Sequence, residues 1–84
     1  MRVAGLNIAD DLLLDLAEQL RRRGFADPAN KIEDAWVADE SDVNLTIPDR
    51  VAILAVLDDP SMDLAQLRGV LIREHEWHRR EGLV

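Results

Sequence analysis

The run Val51–Leu57 constrains this sequence most, because seven successive residues, Val-Ala-Ile-Leu-Ala-Val-Leu, are all apolar. Pro48-Asp49-Arg50 precedes the run, and Asp58-Asp59-Pro60 follows it. A helix that is apolar on every side has no solvent-facing stripe and belongs in the interior. The run therefore predicts a short central helix with Leu54 buried among its side chains. A buried strand is the alternative, but the two alanines and the proline start favour a helix.

Apolar residues at helical spacing predict a first helix with Asn7 as its N-cap. The residues that share its inner face are Leu12, Leu13, Leu16 and Leu20. Gly24 is the expected left-handed residue after the helix, and Phe25 would then pack back on Leu20 in a Schellman motif.

Asp27-Pro28 predicts the N-cap and first position of a second helix. Ala29, Ile32 and Trp36 would line its inner face. About three residues separate the two helices, which predicts that they form a helical hairpin.

Residues 43–47, Val-Asn-Leu-Thr-Ile, alternate apolar and polar and predict either a short strand or an extended linker. No second period-two segment is recognised in the sequence, so a strand here would need pairing with another copy of the chain. Thr46 and Asp49 have the spacing of a capping box at the start of the central helix.

A last helix is predicted from Ser61, its N-cap, to about Glu81, with Gly82 ending it. Its inner residues are Leu64, Leu67 and Leu71, and the same line continues into His75 and His78. The chain of 84 residues is therefore expected to be one all-α domain, a compact four-helix domain with a possible short strand at 43–47.

The stretch around His75 and His78 is the richest in chemistry, since Glu74 lies four residues before His78. These three side chains could form half of a metal site, but the zinc-protease motif needs two histidines four apart. A closed zinc site also needs four ligands, and the chain has no cysteine and no third histidine. The solvated helix end is the favoured interpretation, so we expect no metal site, no cofactor and no catalytic residue, and we expect no enzyme.

Two resemblances cover the second half of the chain. Residues 47–54 and 67–77 look similar to small uncharacterised bacterial proteins, with a likeness over about residues 45–83 that implies no activity. The order of strand 43–47, helix 48–58 and helix 61–81 resembles a ribbon-helix-helix repressor or antitoxin. That resemblance implies a dimer that points Asn44 and Thr46 into the major groove. Strand 43–47 carries no lysine or arginine, however, and DNA binding normally uses these residues to neutralise phosphates.

Net charge restricts the partners. The chain carries −7, and residues 27–63 hold ten acids against Lys31 and Arg50. Such asymmetry favours a basic partner and disfavours nucleic acid. No run reaches the length that spans a bilayer, and the first residues contain no signal-peptide core, so a cytoplasmic protein is expected.

The favoured function is a non-enzymatic protein–protein interaction module that forms a homodimer. The alternatives are the ribbon-helix-helix DNA-binding regulator and, more weakly, a metal-binding protein that uses His75 and His78. The candidate interaction residues lie off the predicted inner stripes or on the alternating segment, and they are Leu14, Leu45, Val70, Ile72 and Trp77.

Overall fold

The computed structural model of the chain describes residues 1–58 and 64–82. Its elements are two short strands, β1 (Arg2–Val3) and β2 (Leu6–Asn7), and four helices, α1 (Asp10–Arg22), α2 (Ala26–Val37), α3 (Ile47–Leu57) and α4 (Ala65–Arg80). The predicted all-α class is confirmed. None of the four described helices is long and apolar enough to cross a bilayer.

The strands β1 and β2 form a hairpin that the sequence did not predict. Arg2 pairs with Asn7 and Val3 with Leu6 in antiparallel register. Ala4 and Gly5 make the turn, and both have positive φ, 51° and 82°, as the common two-residue hairpin turn requires. Since Asn7 belongs to β2, it is not the N-cap of α1; that position is held by Ala9, which makes no side-chain cap.

Residues 43–46 form an extended linker, so the prediction of a strand is wrong and the alternative is correct. Asp42 makes one parallel bridge to Arg2. The Arg2 amide donates to the Ser41 carbonyl at 2.9 Å, and the Val43 amide donates to the Arg2 carbonyl at 3.0 Å. Val43 and Leu45 are buried in the core. The segment therefore finds its backbone partner within its own chain, and the expected need for a second copy disappears.

The Schellman motif that ends α1 is confirmed. Gly24 has a φ of 85°, and the Phe25 amide donates to the Leu20 carbonyl at 2.8 Å. An added Cβ at Gly24 would meet no atom within 4 Å. Among the described residues nothing crowds this position, so the obstacle to another residue there is the left-handed backbone.

We expect Gly24→Ala to lower the free energy of unfolding by about 1 kcal/mol, because alanine is strained at positive φ. Gly69 is the matched control, since it lies inside α4 and its added Cβ also meets nothing within 4 Å. Gly69→Ala should therefore raise stability by up to about 1 kcal/mol through helix propensity. Urea denaturation of both variants measures the two effects. If both variants changed the free energy of unfolding in the same direction, the expectation would be contradicted.

Helix α2 begins earlier than predicted, at Ala26, so Asp27 and Pro28 lie in its first turn and Phe25 is the N-cap. Ala29, Ile32 and Ala35 are buried along its inner face. Trp36 is 44% exposed, so its placement on that face is wrong. The stripe follows the line of Ala35, and Trp36 is turned to the edge of the domain.

Helix α3 contacts each of the other three helices, as expected of the central element. The predicted capping box is present, since Thr46 and Asp49 bond to each other's backbone amides. The expectation that α3 is buried on every side is wrong. Val51 is 41% exposed, Ala55 is exposed and Leu54 is half-buried. The helix thus has a solvent face, and that face is apolar.

Helix α4 packs through Leu64, Leu67 and Leu71, as predicted. Gly82, with a φ of 73°, follows its C-cap residue Glu81. Ser61, the predicted N-cap, lies outside the described residues. The helix begins at Ala65 after Leu64.

Candidate interaction site

The five candidate interaction residues differ in how far their side chains are exposed to solvent. Leu45 is only 8% exposed and belongs to the core of the single chain, so it cannot offer a contact surface. Leu14, Val70 and Ile72 are half-buried. Trp77, near the end of α4, is 50% exposed and is the most accessible of the five.

A groove runs along the apolar solvent face of α3. Its volume is about 760 Å³. One wall is formed by the α1–α2 turn and the first turn of α2, with Phe25 and Pro28, and the other by α3. We call this feature the α3 groove, and the α3 residues that line it are Ile47, Pro48, Asp49, Val51, Ala52 and Ala55. A concave surface with a mainly apolar lining is the usual form of a binding site.

Asp49 lies in the wall of the α3 groove and is 4% exposed. Its carboxylate accepts hydrogen bonds from the Thr46 amide at 2.9 Å and from the Lys31 ammonium at 2.5 Å. Burial raises the pKa of Asp49, but the hydrogen bonds from Lys31 and Thr46 outweigh it and hold the pKa below its ordinary value. The carboxylate therefore stays ionised and ties α2 to the start of α3.

The other flank of α3 faces α4. Arg50 forms an ion pair with Glu74. Beside this pair is a small cavity of about 10 Å³, which Leu54, His75 and His78 help to line. The Nδ1 atom of His75 is buried without a hydrogen-bond partner among the described residues.

The metal-binding alternative gains no support from this arrangement. Glu74, the third member of the predicted half-site, is engaged by Arg50. Within residues 1–58 and 64–82 there is no group of three or more histidine, aspartate or glutamate side chains that could hold a metal ion. The ring of His78 instead meets Trp77 edge-on, with centroids 5.4 Å apart.

The ribbon-helix-helix alternative depended on the alternating segment, which does not form a ribbon. Thr46, one of the two residues expected to point into DNA, accepts a hydrogen bond from the Asp49 amide at 3.3 Å as the cap of α3. Asn44 is exposed, but it lies on a linker held against Arg2 of its own chain. Within residues 1–58 and 64–82, the strand that such regulators use to read DNA is therefore not seen.

Sequence reasoning missed Phe25, Val51 and Ala55 as surface residues. The spacing of Pro48, Val51 and Ala55 places them on one face of a helix, so the strip itself could have been recognised. Nothing in the sequence showed that this strip was the side turned to solvent, because its residues are as apolar as those on the buried side. Comparison of the chain with protein-family models, curated proteins and solved structures gives no match.

Proposed function

We propose that this protein is a non-enzymatic interaction module that self-associates by packing the α3 grooves of two copies against each other. The observation that carries the proposal is the apolar solvent face of α3. Surface helices normally present charged and polar residues to water. Here Pro48, Val51 and Ala55 take those positions, beside a groove large enough for several side chains.

A second copy is the occupant that the geometry favours. A two-fold axis places the same patch on both sides of an interface, so an apolar strip meets an equal strip. The small side chain of Ala55 permits close approach of two helices. Val51 projects from the same face one turn earlier and can pack into the partner's groove beside Phe25.

Local charge permits this contact although the chain carries −7. Asp49 is neutralised by Lys31, and Arg50 by Glu74. Charges outside the groove are screened over about 8 Å at physiological ionic strength. Asp27, an exposed acid, is then the remaining charged side chain in the lining of the α3 groove.

The lining of the groove supports a binding role more than a catalytic one. Its ionisable side chains are Asp27 and Asp49. The Asp49 carboxylate is occupied by Lys31 and Thr46. Neither acid is paired in the groove with a histidine, cysteine or serine that it could activate, and general acid–base or nucleophilic chemistry requires such partners.

We expect sedimentation equilibrium at micromolar concentrations and 0.15 M salt to give twice the chain mass of 9.5 kDa. Val51→Lys should shift the protein to the monomer, because two like charges would face each other across the axis in an apolar contact. An increase in Kd of at least tenfold corresponds to about 1.4 kcal/mol.

Val37→Lys is the matched control. Val37 is also an exposed helical valine, but it does not line the α3 groove. This variant should remain dimeric. If the wild type had the mass of one chain at all micromolar concentrations, self-association would be overturned. If Val51→Lys and Val37→Lys changed the Kd of the dimer equally, the α3 groove would not be the interface.

A further inference from the structure

We propose that a second surface, at the carboxyl end of α2, docks an arginine- or lysine-rich segment of a partner protein. We call it the Trp36 surface. It comprises the apolar pair Trp36 and Val37 and a shallow pocket of about 440 Å³, whose lining includes Arg2, Asp10, Trp36, Asp39 and Glu40. It shares no lining residue with the α3 groove, so the inference does not depend on the proposed function.

The apolar pair is the first part of the argument. Trp36 is 44% exposed and Val37 is 76% exposed, and they are consecutive in the last turn of α2. Tryptophan is enriched among the residues that dominate protein interfaces. Its ring face also attracts arginine and lysine cations that lie within about 6 Å. An exposed tryptophan beside an exposed valine therefore offers both an apolar contact and a site for a cation.

Charge decides the kind of occupant. The exposed residues Asp34, Asp39, Glu40 and Asp42 flank the apolar pair, and the sequence has no lysine or arginine between Lys31 and Arg50. The last turn of α2 contains no base. Its carbonyl end carries partial negative charge, so acids placed there destabilise the helix and a cation stabilises it.

The pocket contains two positive groups, the Met1 ammonium and Arg2. Its three carboxylates, Asp10, Asp39 and Glu40, outnumber them, so the pocket is acidic. The Met1 ammonium is 3.8 Å from the Asp10 carboxylate, and Arg2 contributes to the lining. Asp39, Glu40 and Asp42 have no ion-pair partner among the described residues. These carboxylates are available to a basic ligand, which would meet them beside the Trp36 ring.

A second copy of this chain is a poor occupant. The chain is acidic overall, and residues 73–82 contain three arginines and three glutamates, which cancel. The arginines at the end of α1 are already engaged: Arg21 with Glu33 and Asn30, and Arg22 with Glu18. A basic segment of a different protein fits the surface better.

The test is a fluorescence titration in the Trp77→Phe background, which leaves Trp36 as the single tryptophan. The probe is a synthetic capped peptide in which arginine and leucine alternate. The control peptide has glutamine in place of each arginine. We expect a saturable change in Trp36 emission with the arginine peptide, at least about tenfold weaker binding of the glutamine peptide, and weaker binding at higher salt.

Charge removal at the surface is tested with Asp39→Asn combined with Glu40→Gln. The matched control combines Asp15→Asn with Glu76→Gln, which also removes two negative charges, but at exposed positions on α1 and α4. The first pair should weaken binding about tenfold and the second by less than about twofold. Circular dichroism confirms that both variants fold.

Three results would overturn the proposal. The Trp36 emission could show no saturable change. The two variant pairs could lose affinity equally, which would indicate general attraction to an acidic protein. Concentration-dependent association of the free chain that Asp39→Asn with Glu40→Gln abolishes would place a second copy on the surface in place of a basic partner.

Discussion

Replacing Ile53 by alanine is expected to lower the free energy of unfolding by about 2–5 kcal/mol, the range for truncating a buried isoleucine. Ile53 is fully buried in α3, the helix that contacts each of the other three. A cavity at this point removes contacts that hold the whole core together. Small domains have about 5–15 kcal/mol in total, so urea denaturation should show a much earlier transition.

Val51→Ala is the control for this effect. It truncates another β-branched residue of the same helix, but Val51 is 41% exposed. The loss should be below about 1 kcal/mol for the monomer, since exposed positions contribute little. Similar losses for Ile53→Ala and Val51→Ala would show that α3 is not oriented as described here.

The second large effect is expected for Asp49→Ala, at about 2 kcal/mol, because the N3 residue of the capping box is lost and a partly buried donor is left without its acceptor. The variant removes the acceptor of the Thr46 amide and of the Lys31 ammonium. Lys31 is partly exposed and can turn to water, which limits the loss. Asp58→Ala, which breaks the exposed pair with Arg68, should cost less than about 1 kcal/mol. Thermal or urea denaturation of both variants compares the stability lost with the Asp49–Lys31 pair and with the Asp58–Arg68 pair.

Asp49 also gives stability a pH dependence of known sign. Its pKa is lowered in the folded protein: burial raises it, and the hydrogen bonds from Lys31 and Thr46 outweigh that effect. The contribution is therefore complete above the unfolded pKa of about 4 and is lost as the pH falls through the lower folded value. Wild-type stability should decline below about pH 4, and Asp49→Ala should lessen that decline. If Asp49→Ala lost stability below about pH 4 to the same extent as the wild type, the lowered pKa of Asp49 would be contradicted.

The parts of the fold that could be predicted are those fixed by local chemistry. Gly24 and Phe25 end α1, and Thr46 and Asp49 start α3, because each motif needs particular residues at a fixed spacing. The hairpin of residues 2–7 was not predicted, because its strands have two residues each and its turn uses Ala4 where asparagine or aspartate is the usual signal. The linker at 43–46 could not be understood without that hairpin.

The candidate surfaces were harder to predict, because they depend on how helices are rotated in the domain. The run Val51–Leu57 shows that α3 is apolar, but not which side its neighbours cover. Trp36 and Ala35 both fit a stripe with Ala29 and Ile32 at helical spacing, and packing alone decided between them. In each case the misjudged residue became part of a proposed binding surface.

The bridge between Arg2 and the segment before α3 has a consequence for the order of folding. It joins backbone groups of Arg2 to those of Ser41 and Val43, so it closes a loop that contains both α1 and α2. Closing such a loop costs entropy that is recovered only after the intervening helices have formed. The α1–α2 pair can assemble through contacts close in sequence. We therefore expect the bridge between Arg2 and residues 41–43 to form after the helices have assembled and to open before they separate.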